Sequence, residues 1–300
     1  MRKVALSVGI NNYTGWVNDL EQCVNDMNNV NERLALCGYE AYCIQDQNAT
    51  YQSVKQMLES CIAELAPGDW FVFSYSGHGS YQLDVSGDEI DGFDEVICLH
   101  DRDMPDDDLR QILSKIPQGV LAAIIMDCCF SGTNSRVMVR GTVRNVRFRP
   151  PLEPIPFFVK KKKAFLTEET MNHVLLAACT DEQYSYEDDE GGAFTNALLK
   201  VLDRPLDSPI SFEQFAVEIK KHLPTDDFPQ DPQVEGSSEN RQKLMPFFYH
   251  EVEQPDEPPG DEPDQPPAPD EPGSGIGCLP AVAGFFGVLL LIIYIVYFGG

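Results

Sequence analysis

Two short stretches hold the residue types that could do covalent chemistry. Val120 to Gly132 reads V-L-A-A-I-I-M-D-C-C-F-S-G, an apolar run of strand length that ends in a polar tip with two cysteines. Trp70 to Ser80 reads W-F-V-F-S-Y-S-G-H-G-S and carries a histidine at the matching tip. An unbroken apolar run marks a strand buried on both faces, central in a parallel sheet. Open α/β sheets bind ligands at the carboxyl ends of such strands. If the two strands lie parallel and close, His78 and a cysteine emerge at one edge. An imidazole beside a thiol accepts its proton or lowers its pKa, giving a reactive thiolate. The surrounding glycines let a substrate backbone come close and leave N–H groups for an oxyanion. Zinc is a poorer use of Cys128, Cys129 and His78, because adjacent cysteines lack the spacing of a zinc site.

The elements that must position these tips follow from periodicity. Val4 to Gly9 reads as a strand. Leu20, Cys23, Val24, Met27, Val30 and Leu34 recur at helical spacing and predict a helix over Asp19 to Cys37, with Gly38 at its C′ position. Tyr39 to Ile44 is a second strand. Thr50 can cap a helix through Leu65, and Pro67-Gly68 turns the chain into the histidine strand. This β-α-β-α-β order implies a parallel sheet with right-handed crossovers. A short helix over Leu109 to Ile116 leads through Pro117-Gln118-Gly119 into the cysteine strand. Beyond it come a strand at His173 to Cys179, a helix at Ala193 to Leu202, a helix capped by Ser211 through His222, and a last strand at Pro246 to Tyr249. His100, His173, His222 and His250 stand in no catalytic context and read as structural.

Composition sets limits. The 300 residues carry a formal charge of −26, which excludes a nucleic-acid footprint and repels an anionic membrane surface. Nine cysteines without C-x-x-C pairs point to free thiols in a reducing compartment. The apolar run at the amino terminus is too short for a signal peptide. Ser135 to Lys163 is the one basic block, with Arg136, Arg140, Arg144, Arg147, Arg149 and Lys160 to Lys163 among prolines, and it predicts an exposed loop. Glu251 to Gly275 is mostly Pro, Asp, Glu and Gly, a disordered spacer of up to roughly 75 Å. Ile276 to Phe298 is apolar and, as a helix of about 35 Å, long enough to cross a bilayer, with Tyr294 and Tyr297 placed as interface aromatics. A tail-anchored chain with its soluble part in the cytoplasm is the expectation.

Y-S-G-H-G and D-C-C-F-S-G resemble the two catalytic signatures of the metacaspases, caspase-fold cysteine peptidases. The likeness continues in A-L-S-V-G-I-N-N-Y and L-E-Q-C-V-N-D-M. It is looser in C-T-D-E-Q-Y-S-Y, G-G-A-F-T-N-A-L-L and Q-D-P-Q-V-E-G-S, and covers most of residues 1–250. The implied fold is a caspase-like three-layer α/β sandwich with a mostly parallel central sheet, plus the C-terminal transmembrane helix. Residues 1–134 would be the large-subunit-like part, 135–163 a basic linker and 164–250 the small-subunit-like part. The stalk at 251–275 and the membrane helix at 276–298 follow. The resemblance makes Cys129, the second of the pair, the nucleophile and His78 the residue that moves the proton. It gives the oxyanion to the backbone N–H groups of Gly79 and Cys129.

Asp26, Ser76 and Asp127 fall on the family's substrate-pocket positions. Two carboxylates facing one pocket favour a cationic side chain, arginine most of all, so the implied substrates are proteins or peptides cut after Arg or Lys. Without the resemblance Asp26 reads as an exposed helix acid. The basic linker becomes a candidate for self-cleavage of a zymogen, beside the plainer readings of a solvated linker or a patch for an acidic partner. Residues 81–108 are rich in the hard oxygen ligands that suit calcium, without an EF-hand register. The resemblance places calcium on Asp94, Asp106 and Asp107; a solvated acidic loop, with Asp106 capping a helix, is the alternative. Two departures stand out: Phe130 replaces the family's histidine after the nucleophile, and Arg136 replaces a further acid. They keep a second reading open, a catalytically silent caspase-fold scaffold that recruits partners at a membrane. Oligomeric state stays open.

Overall fold

The computed structural model describes residues 1–14, 19–83, 93–129, 146–152, 171–180, 183–203, 210–223, 230–243 and 245. In chain order the elements are β1 (Lys3–Gly9), α1 (Cys23–Leu36), β2 (Glu40–Gln45), α2 (Tyr51–Ala63), β3 (Trp70–Ser76), β4 (Gly79–Leu83), β5 (Phe93–Cys98), β6 (Asp103–Pro105), α3 (Asp106–Leu113), β7 (Leu121–Asp127) and β8 (Val174–Ala177). They continue with β9 (Glu187–Asp188), β10 (Gly191–Gly192), α4 (Ala193–Leu202), α5 (Phe212–His222), β11 (Gln233–Glu235) and α6 (Ser238–Arg241). The central sheet runs β11-β8-β7-β3-β1-β2 and is parallel except where β11 meets β8.

Alternation along the central strands feeds two cores. Leu6, Phe71, Phe73, Ile124 and Met126 pack on one face with Val54 and Leu58 of α2 and Leu109 and Ile112 of α3. Ala5, Val72, Ala123 and Ile125 pack on the other with Leu34 of α1, Phe194 and Leu198 of α4, and Phe215 of α5. The result is the expected helix–sheet–helix sandwich. Both capping expectations hold: Thr50 with Ser53 and Ser211 with Gln214 form reciprocal capping boxes that satisfy first-turn N–H groups.

Three expectations need correction. The first helix starts at Cys23, not Asp19, because Asn11 ties down the turn before it: its carbonyl accepts from Leu20 N–H at 2.9 Å and its Oδ1 from Val24 N–H at 3.1 Å. Helix α3 starts at Asp106, three residues before Leu109. Asp106, Asp107 and Asp108 then fill its first turn, where the helix dipole favours negative charge, and Pro105 rather than Asp106 holds the cap position. The acid-rich stretch 81–108 is not simply a loop, since β4, β5 and β6 form a separate three-stranded antiparallel sheet.

The chain divides into Met1–Glu251 and Val252–Gly300. The last strand anticipated at Pro246 to Tyr249, the stalk and the apolar segment 276–298 lie outside the described residues. Among the described residues no helix is long and apolar enough to cross a membrane.

His173, just before β8, is structural as expected. Burial pushes its imidazole down to about 4. The unfolded chain therefore binds a proton near pH 6.5 that the folded protein refuses until about pH 4, so this residue's contribution to stability falls as pH drops through that window. Removing the titration with His173→Gln should flatten the acid limb of a stability–pH curve by up to roughly 3 kcal/mol, read by denaturant unfolding between pH 7 and 4.

Candidate active site

Strands β3 and β7 are neighbours, parallel, with Ser76 opposite Asp127 at their carboxyl ends. His78 and Cys129 each stand two residues past that pair, at adjacent sheet tips, and both are buried. Gly79 lies against the backbone of Cys129 so closely that a Cβ there would sit 2.0 Å from the Cys129 carbonyl oxygen. Only glycine permits that approach. His78 is held from three sides. Its N–H donates to Tyr13 Oη at 2.7 Å, and its carbonyl accepts from Tyr75 Oη at 2.8 Å and Cys98 N–H at 2.9 Å. The Tyr13 and His78 rings lie 4.9 Å apart. Cys129 Sγ accepts from Ser185 N–H at 2.7 Å. Burial pushes the neighbouring Cys128 thiol well above its ordinary range, which leaves Cys128 an inert packing residue.

The pocket beside these tips is acidic and occupied. Asp26 from α1, Asp127 from the end of β7 and Glu187 from β9 surround the guanidinium of Arg147, which is fully buried. Arg147 Nη1 donates to Ser76 Oγ at 2.8 Å and lies 2.8 Å from Asp127 Oδ2. Its Nη2 donates to Asp26 and, at 3.2 Å, to Glu187. The acids are themselves positioned. Asp127 accepts from Ser185 Oγ and Thr195 Oγ1, each at 2.6 Å, and Asp26 accepts from Gly192 N–H. The pocket floor is Gly191-Gly192. A Cβ on Gly192 would sit 2.5 Å from Asp127 Oδ2 and 2.6 Å from Arg147 Nη1. Burial pushes the Asp26 carboxyl up, while the Arg147 charge pulls it back. For Arg147 burial opposes the charge, and the carboxylates of Asp127, Asp26 and Glu187 outweigh it, so the guanidinium is held charged.

The Arg147 backbone is placed as tellingly as its side chain. Its carbonyl oxygen accepts from Gly79 N–H at 3.0 Å and from Cys129 N–H at 3.2 Å, the two groups assigned to an oxyanion. Its own N–H donates to Ser185 carbonyl at 2.9 Å, and Val146 bridges antiparallel to Tyr186. Past it, Phe148 bridges parallel to Gly79, and Arg149 N–H donates to the Gly79 carbonyl at 2.9 Å. Residues 146–149 therefore lie across the site as an extended peptide, with one carbonyl between two converging N–H donors.

The comparisons with known proteins fit this geometry. Residues 2–249 match the family described as the caspase domain. The chain belongs to the caspase-domain family of cysteine peptidases. Metacaspase-1 of Meyerozyma guilliermondii is 37% identical over 147 residues, 44% of this chain and 36% of that protein. Metacaspase-7 of Arabidopsis thaliana is 34% identical over 143 residues, 44% of this chain and 35% of that protein. The chain thus spans about a third of the length of these curated relatives. A crystal structure of a protein from Geobacter sulfurreducens has a TM-score of 0.65 at 26% identity, over 81% of this chain and 97% of that one.

Within this caspase domain the anticipated residues His78, Gly79, Cys129, Asp26, Ser76 and Asp127 gather at one end of the sheet. The basic linker is corrected in part: Val146 to Arg149 is not an exposed loop, since Arg147 and Arg149 are buried. A strip of positive charge reads as solvated in one dimension, and only the folded pocket supplies the acids that take it in. Glu187, Ser185 and Tyr13 were missed. Glu187 was one acid among many between Glu182 and Glu190, and no spacing distinguishes it. Phe130 and Arg136 lie outside the described residues.

Of the three acids assigned to calcium, Asp94 lies on β5, and Asp106 and Asp107 open α3. Val96 pairs with Pro105, and Asp94 and Asp107 each stand two residues beyond that pair. Arg110 carries the side chains of Asp106 and Asp107, the latter at 2.8 Å, and Asp94 accepts from Gln82 Nε2 at 3.2 Å. Among the described residues no three or more His, Cys, Asp or Glu side chains are grouped to hold a metal ion.

Proposed function

We propose that this caspase domain is a cysteine endopeptidase that cuts after arginine, and that its first substrate is its own Arg147–Phe148 bond. One observation carries the reading: the Arg147 carbonyl sits between the Gly79 and Cys129 N–H groups while its guanidinium fills the acidic pocket. In the proposed step, His78 takes the proton of Cys129, and the thiolate attacks the Arg147 carbonyl carbon. The two N–H groups hold the oxyanion. The C–N bond to Phe148 breaks as His78 returns the proton to the Phe148 nitrogen. Water then hydrolyses the thioester, leaving a carboxylate on Arg147 and restoring the thiol.

The pocket supports arginine over lysine. Nη1 serves Ser76 and Asp127 while Nη2 serves Asp26 and Glu187, and a lysine presents a single nitrogen to the same four partners. The protein is then a zymogen that holds its own linker in the site, and outside substrates gain the pocket once that linker is cut and released.

Incubation of the full chain should yield a new amino terminus at Phe148, with turnover of arginine-ended reporters rising as the cut accumulates. Reporters ending in lysine should have kcat/KM lower by about tenfold. Cys129→Ala should abolish both cut and turnover, and Arg147→Ala should abolish the cut and with it the rise in turnover that accompanies processing. New termini elsewhere, or unchanged activity in Cys129→Ala, would refute the assignment. Silence in every arm would favour the scaffold reading.

Calcium stimulation belongs to the same proposal and is supported by the hard carboxylate oxygens of Asp94, Asp106 and Asp107. Bound calcium would neutralise these carboxylates and take the place of Arg110. Added calcium should accelerate processing, and Asp107→Asn should blunt the response; a rate indifferent to chelator would remove calcium from the account. We also propose that residues 276–298 span a membrane and tether the domain in the cytoplasm, supported by their length and apolarity. Alkaline carbonate should leave the full chain in the membrane pellet and release a chain ending at residue 275; release of both would exclude the anchor.

A further inference from the structure

Resting on the reading of 146–149 as a bound substrate, we propose that the site also selects residues after the cut. It has an aromatic slot for the first and an acidic pocket, built on Asp103, that takes a second arginine. The substrate class is then a peptide of the form Arg-aromatic-Arg, cut after the first arginine.

The argument comes from the small sheet of β4, β5 and β6. Gly79, which opens β4, uses both of its backbone groups on the segment: its N–H holds the Arg147 carbonyl and its carbonyl accepts from Arg149 N–H. The peptide is thus gripped on both sides of the Arg147–Phe148 bond. The Phe148 ring lies 6.1 Å from Tyr81 of β4, nearly parallel at 19°, and 6.0 Å from Tyr184. Aromatic rings at such separations attract beyond the area they bury. Two residues past the cut, Arg149 is only 4% exposed, and its guanidinium pairs with Asp103, which opens β6. In an extended peptide, alternate side chains point to the same side, so Arg147 and Arg149 can be read by two acidic pockets while Phe148 faces the tyrosines. Burial pushes the Asp103 carboxyl up and Arg149 draws it back down, as for a carboxylate set among protein atoms with a cation as its partner.

A merely structural Arg149–Asp103 pair would hold the linker down without discriminating among outside peptides. The test therefore uses peptides added in trans. Internally quenched peptides with Val-Arg-Phe-Arg and Val-Arg-Phe-Ala around the cut are compared on the processed protein, beside a reporter whose leaving group follows the arginine directly. Their labelled counterparts are compared for binding to the full chain carrying Cys129→Ala, Arg147→Ala and Arg149→Ala, whose own segment no longer brings arginines to either pocket. The Arg-containing peptide should be favoured by roughly tenfold in kcat/KM and in affinity, as expected for a charge-assisted pair shielded from water. Within Asp103→Asn the ratio between the two peptides should collapse toward one, and Asp103→Glu should restore part of it. Equal handling of both peptides by the protein with Asp103 intact overturns the inference, even if both variants fail to fold. A reporter that is turned over without any preference between the peptides sinks this inference and leaves the peptidase reading standing. Preferential binding without turnover of any substrate does the reverse.

Discussion

A single buried guanidinium organises the functional end of this molecule. Arg147 is surrounded by carboxylates from three separate parts of the chain, Asp26, Asp127 and Glu187, none of which is exposed to water. Three acids confined together repel one another, and burial penalises each charge. A planar cation with two forked ends relieves both effects at once. Stripping one partner from a buried ion pair is strongly destabilising, by about 3–5 kcal/mol, because the remaining charge is left without compensation. A pocket of this kind demands a cation of the same shape. The nearest supply is the chain's own basic segment, which explains why a stretch rich in arginine and proline turns inward at residues 146–149.

The pocket would be inert without the register of the sheet. Parallel pairing of β3 with β7 sets Ser76 opposite Asp127, so whatever follows each strand by two residues arrives at the same edge. Gly79 makes the alignment tight, since its missing side chain lets its N–H converge with that of Cys129 on one carbonyl. Gly191 and Gly192 do the equivalent for the pocket floor. Tyr13 and Tyr75 supply hydroxyls to the backbone of His78 and keep the loop after β3 from relaxing. The sandwich beneath is ordinary helix-on-sheet packing, and its role is to keep two strand ends at a constant separation.

Much of this was legible along the chain. Trp70 to Ser74 and Val120 to Met126 announce themselves as central strands by continuous apolarity, which sets His78 and the Cys128-Cys129 pair at the ends, while the choice of Cys129 comes from the family resemblance. Capping by Thr50 and Ser211 is a local hydrogen-bond exchange, so it survives transfer from sequence to structure. Errors arose where long-range contacts override local pattern. The start of α1 moved because Asn11 holds the turn before it. The sheet of β4 to β6 was hidden because acidic residues mask alternation in Phe93 to Cys98, whose buried side chains face a core supplied from elsewhere.

Strand–helix order, the chemistry available at two strand tips and the family likeness can all be read along the chain, because they reside in residue types and short spacings. How separated residues combine emerged only from the fold. It recruited Glu187 as a third pocket acid, buried Arg147 against it and set Tyr81, Tyr184 and Asp103 along Phe148 and Arg149. Charge in a linear chain carries a sign and no depth. Burial and pairing depend on which surfaces close over it, and those surfaces exist only once distant segments have folded together.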